Sequence, residues 1–413
     1  MRMKTLELKA SSYRIFLLVF LGLLTAFGPF ATDIYLPALP SMAEQFGTTA
    51  SMVQFSLTSC MVGLAVGQLL FGPMSDRYGR KPVLLWTLLL FILSTLLCLF
   101  SAGICQFVVF RLFQGIAAAG SIVIARSVST DMFSGRELAG ILAIVGSING
   151  IAPVLAPVIG GSMTEAGGWE GIFAVLLFIG MLLSAASLFF RESLPVERRV
   201  PSSLLRLPSY FIPLLRNRPY TGYMLQLGFA QAALFANIAS APFIMQQHYG
   251  FTPFQFSMCF GMNALAVVVS AALAAKFRRI ENGTLLGSAG LLVFSVCEAV
   301  ALFAGCGFLL YEGFMLGILF SLGLCFTSST TLAMDKGRES SGSASALLGA
   351  VSFAFGGAVS PLVGIGNTLQ ATGIVFVVCA VCSLACVYMA GEGGFRRKSR
   401  RLVKADQSSE SLD

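Results

Sequence analysis

The sequence predicts an all-α integral membrane protein, with twelve transmembrane helices in two six-helix bundles. Three observations predict it: an apolar composition, twelve apolar runs of spanning length, and basic residues confined to alternate connections. Of the 413 residues, 56% are hydrophobic and 11% are charged. Ordinary soluble domains carry roughly 25% charged residues. A chain this apolar has too few polar groups to cover a soluble surface.

The runs fall at 15–36, 51–71, 83–100, 104–128, 138–163, 171–190, 220–245, 254–277, 284–303, 308–332, 342–366 and 372–390. Each is long enough to cross ~30 Å of hydrocarbon as a helix. A membrane β-barrel would show alternating segments of about ten residues instead. The first run follows a basic start, as a signal peptide would. Its length, the lack of a small-residue cleavage site and the spans that follow mark it as helix 1.

Charge placement tests the count independently. With the amino terminus in the cytoplasm, 26 of the 27 Lys and Arg residues fall in cytoplasmic segments, and the remaining one, Arg111, lies inside helix 4. The positive-inside rule requires such a bias, and a miscounted helix would invert it downstream. The expected location is the cell inner membrane, multi-pass, with both termini cytoplasmic. The net charge of +8 reflects this rule and anionic headgroups, so it is no argument for nucleic acid.

Most connections are short, but 191–219 is a basic linker with Pro195, Pro201, Pro208, Pro213 and Pro219. It separates an N-terminal bundle (1–190) from a C-terminal bundle (220–390). Residues 391–413 are rich in Gly, Ser and basic residues and read as a disordered cytoplasmic tail. Two-bundle transporters bind substrate near the bilayer midplane between the halves.

Several chemistries are missing. There is no G-x-x-x-x-G-K-[ST] phosphate loop, no G-x-S-x-G elbow and no H-E-x-x-H, and the single histidine, His248, falls in an outer loop. The chain therefore does not read as an enzyme. Cys379, Cys382 and Cys386 on the last helix read as packing residues, because a metal site would want His or carboxylate company. No metal and no cofactor are expected. The work must come from an ion gradient or from the substrate's own gradient.

Three motifs carry more specific information. Between helices 2 and 3 stands Gly72-Pro-Met-Ser-Asp76-Arg77-Tyr-Gly79-Arg80-Lys81-Pro82. Here Gly72 permits close helix approach and Gly79 a tight turn, while Asp76 and the three basic groups can form switchable ion pairs. Helix 4 carries Arg111-Leu-Phe-Gln114-Gly115, and helix 5 spaces Gly146, Gly150, Pro153, Pro157, Gly160 and Gly161 along one stretch. Small residues at helical spacing let backbones approach, and the prolines bend the helix.

The first motif resembles the major facilitator superfamily signature G-x-L-x-D-R-x-G-R-[RK], with Met74 in place of the usual Leu. The second resembles the R-x-x-Q-G pattern of drug–proton antiporters. The third is similar to their G-x-x-x-G-P-x-x-G-G motif, with Ala156 where a Gly usually precedes the Pro. The string Ala31-Thr-Asp33-Ile-Tyr35-Leu-Pro37-Ala-Leu-Pro40, with the helix 4 stretch from Ala125-Arg126 to Asp131-Met132-Phe133, resembles the Bcr/CflA drug-resistance subfamily. The second half rests on hydropathy and on Gly342-Ser-Ala-Ser-Ala-Leu-Leu-Gly349.

The resemblance implies the major facilitator fold, a monomer, and proton-coupled export of bicyclomycin-, chloramphenicol- or sulfonamide-type compounds by alternating access. A metabolite exporter of the same fold is the alternative. A channel or sensor would need this topology without a mobile titratable pair. In the family, helices 1, 4, 7 and 10 line the path and helices 2, 5, 8 and 11 complete it. That makes Gln54, Thr58, Asn149, Gln226, Asn237 and Asn263 candidate polar contacts, and Tyr35, Phe235 and Met262 candidate adaptable ones. Glu298 falls on helix 9, peripheral in the family, and reads as interfacial. Some relatives carry a second acid two turns before Asp33, where this chain has Thr25.

The family's gate implies that Asp76 caps the start of helix 11 and that Arg80 pairs with Asp131 at the end of helix 4. Asp33 and Arg111 are the conspicuous ionisable residues inside the first-half spans. A charge at a helix centre costs ~2.5–3.5 kcal/mol on insertion scales, so such residues face cavities and serve functions. At ~1.5 Å per residue both lie roughly 6–8 Å from the same end of their helices. Asp33 is the expected proton carrier and Arg111 its electrostatic partner.

Overall fold

Every regular element among the described residues is helical. The structure is a computed structural model describing residues 2–133, 135–199, 207–274, 276–337 and 341–409. Side chains are left aside at 2–12, 135–140, 142–147, 149–151, 153, 154, 198, 207–210, 341, 342 and 391–409.

The first half runs α1 (Arg2–Asp33), α2 (Leu39–Gln45), α3 (Ala50–Tyr78), α4 (Arg80–Leu99), α5 (Ile104–Met132) and α6 (Gly135–Phe189). The connecting α7 (Leu207–Arg216) leads to α8 (Arg218–Phe243), α9 (Pro253–Ala274), α10 (Ile280–Phe303), α11 (Phe308–Lys336), α12 (Ser341–Val359) and α13 (Thr368–Ser409). Eleven segments among the described residues are long and apolar enough to span a bilayer, with mean hydropathy of 1.4 to 2.5. The fifth of these, Leu155–Phe189, contains a break at Gly168 (φ 64°, ψ −165°). Only glycine adopts such a conformation readily, and it separates the two expected helices 5 and 6 that α6 joins.

Local sequence explains the helix ends. Thr49 caps α3, its hydroxyl accepting from the Met52 N–H at 3.3 Å, as N-cap threonines do. Gly79 divides α3 from α4 at φ 100°. Pro37 and Pro40 sit in the first turns of a short 3₁₀ segment, Leu36–Ala38, and of α2, positions where a missing N–H costs nothing. α13 continues to Ser409, beyond the span that ends at Ala390.

The outer faces are greasy. Leu309 is 87% exposed, Phe100 82%, Phe189 75% and Trp86 72%, a surface suited to lipid rather than water. Inside, polar residues are buried, and the largest fully buried side chain is Arg111.

The halves meet through α3 against α12 and α6 against α9, at the end of the bundle that carries no basic loops. A Cβ at Gly161 would meet the Pro253 carbonyl at 2.8 Å, so glycine is what permits that approach. Gln54 Nε2 donates across the gap to the Ala239 carbonyl at 3.0 Å, Gln246 Nε2 to Pro37 O at 2.9 Å, and the Ser51 hydroxyl to Pro361 O at 3.2 Å. Contact reaches inward as far as Gly349 against Gln68. Gly72, expected to permit close approach at the basic end, faces open space: a Cβ there would meet nothing within 4 Å. With the halves closed at the other end, no neighbour is pressed against it.

Candidate functional site

The N-terminal half holds a buried polar centre between α1, α3, α4, α5 and α6. Arg111 is 0% exposed and Asp33 5%. One guanidinium nitrogen, Nη1, donates to the Ala31 carbonyl at 3.0 Å and to Gln114 Oε1. The Gln114 amide donates onward to the Thr95 hydroxyl at 2.7 Å. The Arg111 carbon Cζ stands 4.3 Å from the Tyr35 ring centroid and 5.6 Å from that of Phe173, close enough for cation–π attraction. Tyr35 in turn shares a 3.1 Å hydrogen bond with Ser56 on α3.

Asp33 and Arg111 are electrostatic neighbours, yet no ion pair joins them among the described residues. The expected pair is therefore an arrangement at a distance. Arg111 spends its bonds on a carbonyl, an amide and two aromatic faces, and its Nε and Nη2 remain without acceptors. Asp33 is left free to gain or lose a proton without breaking a salt bridge.

The gate motif is built at the opposite end. Arg80 is 6% exposed and joins three side chains through four bonds: Nε and Nη2 bond Asp131 at 2.8 and 3.3 Å, and Nη1 bonds Ser75 at 2.7 Å and Asp76 at 2.5 Å. The Arg80–Asp131 pair between α4 and α5 is thus present. Asp76 is bonded to Arg80, and residues 338–340, just before α12, lie outside the described ones. Arg77 is exposed and lies over the Tyr78 ring at 5.1 Å. Lys81 reaches the Leu188 carbonyl at 2.8 Å.

Glu192 was not singled out from the sequence. Its carboxylate accepts the N–H groups of Arg80 and Lys81 at 2.9 and 3.1 Å, capping the first turn of α4 from the linker, where an anion is favoured. A Cβ on Gly79 would press against Glu192 and Arg199, so glycine makes room for this cap as well as the turn. The only hint in the sequence was an acid placed just after a long apolar run.

The candidate contacts divide. Gln54, 0% exposed, bridges the halves as described. Thr58 on α3 and Asn237 on α8 each keep a buried oxygen without a partner. Phe235 packs against Gly356 and Met61 at the α8–α12–α3 junction, and Asn263 is buried on α9. Tyr35 is fully buried beneath Arg111 and supports it instead of facing open space.

One placement differs from expectation. Gln226 donates to Ser288 on α10 and Ser383 on α13 at 3.1 and 3.2 Å, so it ties together helices of its own half. Periodicity in an almost uniformly apolar helix gives little warning of this. Met262 is 67% exposed, one position from the buried Asn263 on α9. The side chains of Gly146, Asn149, Gly150 and Pro153 lie outside the described residues. Pro157 is buried, and Gly160 and Gly161 pack against Ile34 and Ser257.

Glu298 is also placed differently. It is 0% exposed, buried within the C-terminal half and not at an interface with lipid headgroups. Its neighbour across the hairpin is Glu312 on α11, which sequence reading passed over.

The sequence pattern of the Major Facilitator Superfamily matches residues 21–361. The chain belongs to this superfamily. As a major facilitator protein it is a multi-pass membrane transporter and not an enzyme. It is 37% identical over 384 residues to an uncharacterized MFS-type transporter, YdgK, of Bacillus subtilis, covering 90% of this chain and 94% of that one. It is 30% identical to a bicyclomycin resistance protein homolog of Haemophilus influenzae over 91% and 95% of the two chains. Among solved structures, a bacterial homolog of the human lysosomal transporter Spinster, inward-facing and unoccupied, matches with a TM-score of 0.70 at 15% identity, covering 92% of this chain and 95% of that one. The xylose transporter XylE of E. coli, in a partially occluded inward-open conformation, matches with 0.68 at 14% identity over 90% and 97%. These likenesses carry the fold.

Proposed function

We propose that this major facilitator is a proton-coupled antiporter that exports small amphipathic compounds of the bicyclomycin, chloramphenicol and sulfonamide kind. It works as a monomer in the cell inner membrane, with both termini cytoplasmic and the two bundles 1–190 and 220–390 rocking about the path between them. The resistance proteins among its relatives and the antiporter-like helix 4 and helix 5 motifs support this substrate class and coupling.

The observation that carries the reading is the placement of Asp33. It is buried but not salt-bridged, beside a fully buried Arg111, and one turn before Pro37, whose carbonyl takes the bond from Gln246 of the other half. A proton arriving on or leaving Asp33 changes the field at Arg111 and at the backbone that closes the halves. Coupling needs such differential contacts in the two states. At the basic end, Asp76 and Arg80 form the latch: Asp76 caps α12 when the halves close there, which holds the outward-open state. Gln54, Thr58, Phe235 and Asn237 contact substrate, with Asn149 on helix 5 as their counterpart.

The test is transport by the full-length protein in proteoliposomes with an imposed pH gradient, using labelled chloramphenicol. Asp33→Asn is expected to reduce gradient-driven accumulation to the level of empty vesicles while passive exchange persists. Undiminished uphill transport by that variant would remove Asp33 from the proposal.

A further inference from the structure

The C-terminal half contains a second ionisable centre that the proposed coupling does not use. Glu298 lies five residues from the end of α10 at Phe303, and Glu312 four residues into α11 from Phe308. At ~1.5 Å per residue both sit roughly 6–8 Å below the end that lacks basic loops. Both oxygens of Glu298 and one of Glu312 have no hydrogen-bond partner, and neither does the hydroxyl of Tyr311, which is 0% exposed and is the electrostatic neighbour of both acids.

The groups around the two acids are hydrogen donors. Cys259 donates its thiol to Glu312 Oε1 at 3.4 Å, and the Asn263 amide stands beside the same carboxyl with Nδ2 unused. The Tyr249 hydroxyl bonds the Cys306 carbonyl at 3.0 Å, and its ring lies 5.6 Å from that of Tyr311. His248 lies against Tyr249, with ring centroids 4.7 Å apart. On the other packed faces, α12 has no titratable residue, and α13 brings Gly373 against Ala299. No Lys or Arg acts on either acid among the described residues.

A fully buried carboxylate, Glu298, beside a half-buried one, Glu312, with no Lys or Arg acting on either among the described residues, disfavours ionisation of both, as in dyads that share one proton. A metal cation would need a shell of oxygen acceptors, whereas the groups turned toward Glu312 are the Cys259 thiol, which donates to it, and the otherwise unused Asn263 Nδ2. We propose that Glu298 and Glu312, with Tyr311, form a second proton-binding site in the C-terminal half. It is loaded from the end where the halves are now closed. The site goes beyond the Asp33 mechanism and stands or falls without it.

Infrared spectroscopy of the full-length protein in the Asp33→Asn background tests the site, which removes Asp33 from the carboxyl signal. The expected result near neutral pH is a protonated-carboxyl C=O band that moves in D₂O. It is lost in Glu298→Gln/Glu312→Gln and shifted in Tyr311→Phe, which leaves both acids in place. Persistence of the band in the double variant would overturn the site. So would an unshifted band in Tyr311→Phe, or loss of the band when Na⁺ replaces K⁺ at constant pH, which would mark a metal-cation site.

Discussion

In the N-terminal half a guanidinium is buried with one acid in its field; in the C-terminal half a buried acid, Glu298, neighbours a half-buried one, Glu312, with no Lys or Arg acting on them among the described residues. Both centres lie near the same end of the bundle, yet their bonding is opposite. Arg111 has a carbonyl, an amide and two rings as partners, while Glu298 has none. A buried group with that many partners is a fixed feature of the field. A buried carboxyl with none is a place where a ligand, here a proton, completes the structure. The comparison separates the scaffold of a site from its moving part within one fold.

Replacing Arg111 by Lys attacks the comparison most directly. The charge stays, but a compact ammonium loses the planar stacking and the fork of donors. Charge-assisted hydrogen bonds contribute about 1.5–3 kcal/mol each, so thermal unfolding in detergent is expected to show a loss of about 2 kcal/mol, with gradient-driven transport abolished. Wild-type transport by Arg111→Lys would mean that only the charge matters there and that the rings are bystanders.

A smaller effect is expected where the halves touch. Gly161 packs against the Pro253 carbonyl and Ser257 of the other half, and Gly161→Leu cannot be accommodated without moving α6 away from α9. Overpacking of this kind costs about 1–3 kcal/mol, and it falls on the state closed at that end. Spin labels at Glu44 and Asn367, exposed positions on the two halves, should report a longer mean distance. An unchanged distance distribution would show that the closure does not depend on that contact.

The smallest effect sharpens the role of buried polar groups in the C-terminal half. Gln226 bonds only serines of its own half. Gln226→Leu removes an amide oxygen that has no partner and leaves Ser288 and Ser383 bonded to each other at 3.4 Å. Gln226→Leu is expected to change stability by less than about 1 kcal/mol and to leave the substrate profile intact. A changed profile, measured across chloramphenicol, bicyclomycin and a sulfonamide, would return Gln226 to the substrate path.

The helix count, the spans and the family were legible in residues 15–390 because hydropathy and motif spacing are local properties of the chain. Asp33 and Arg111 were legible for a related reason: a charge inside an apolar run announces itself. The Arg80–Asp131 pair followed from the gate motif. Glu312 lies inside the 308–332 run yet went unread, because what marks it is its neighbour Glu298 on another helix. Glu298 was seen but assigned to the wrong surroundings, since burial of a helix face depends on its neighbours.

What local sequence decides here is which segments enter the bilayer, where they turn and which ionisable groups they carry. Apolar length, Gly79 and Gly168, and the distribution of Lys and Arg act through solvation and backbone sterics, which need no partner. What only the tertiary structure decided is which groups meet. Arg111 stacks on Tyr35 and Phe173 instead of bonding Asp33, Gln226 turns toward α10 and α13, and Glu298 finds Glu312 and Tyr311. In a helix apolar on every side the hydrophobic pattern does not say which face points inward, so rotation about the axis is set by packing against other helices.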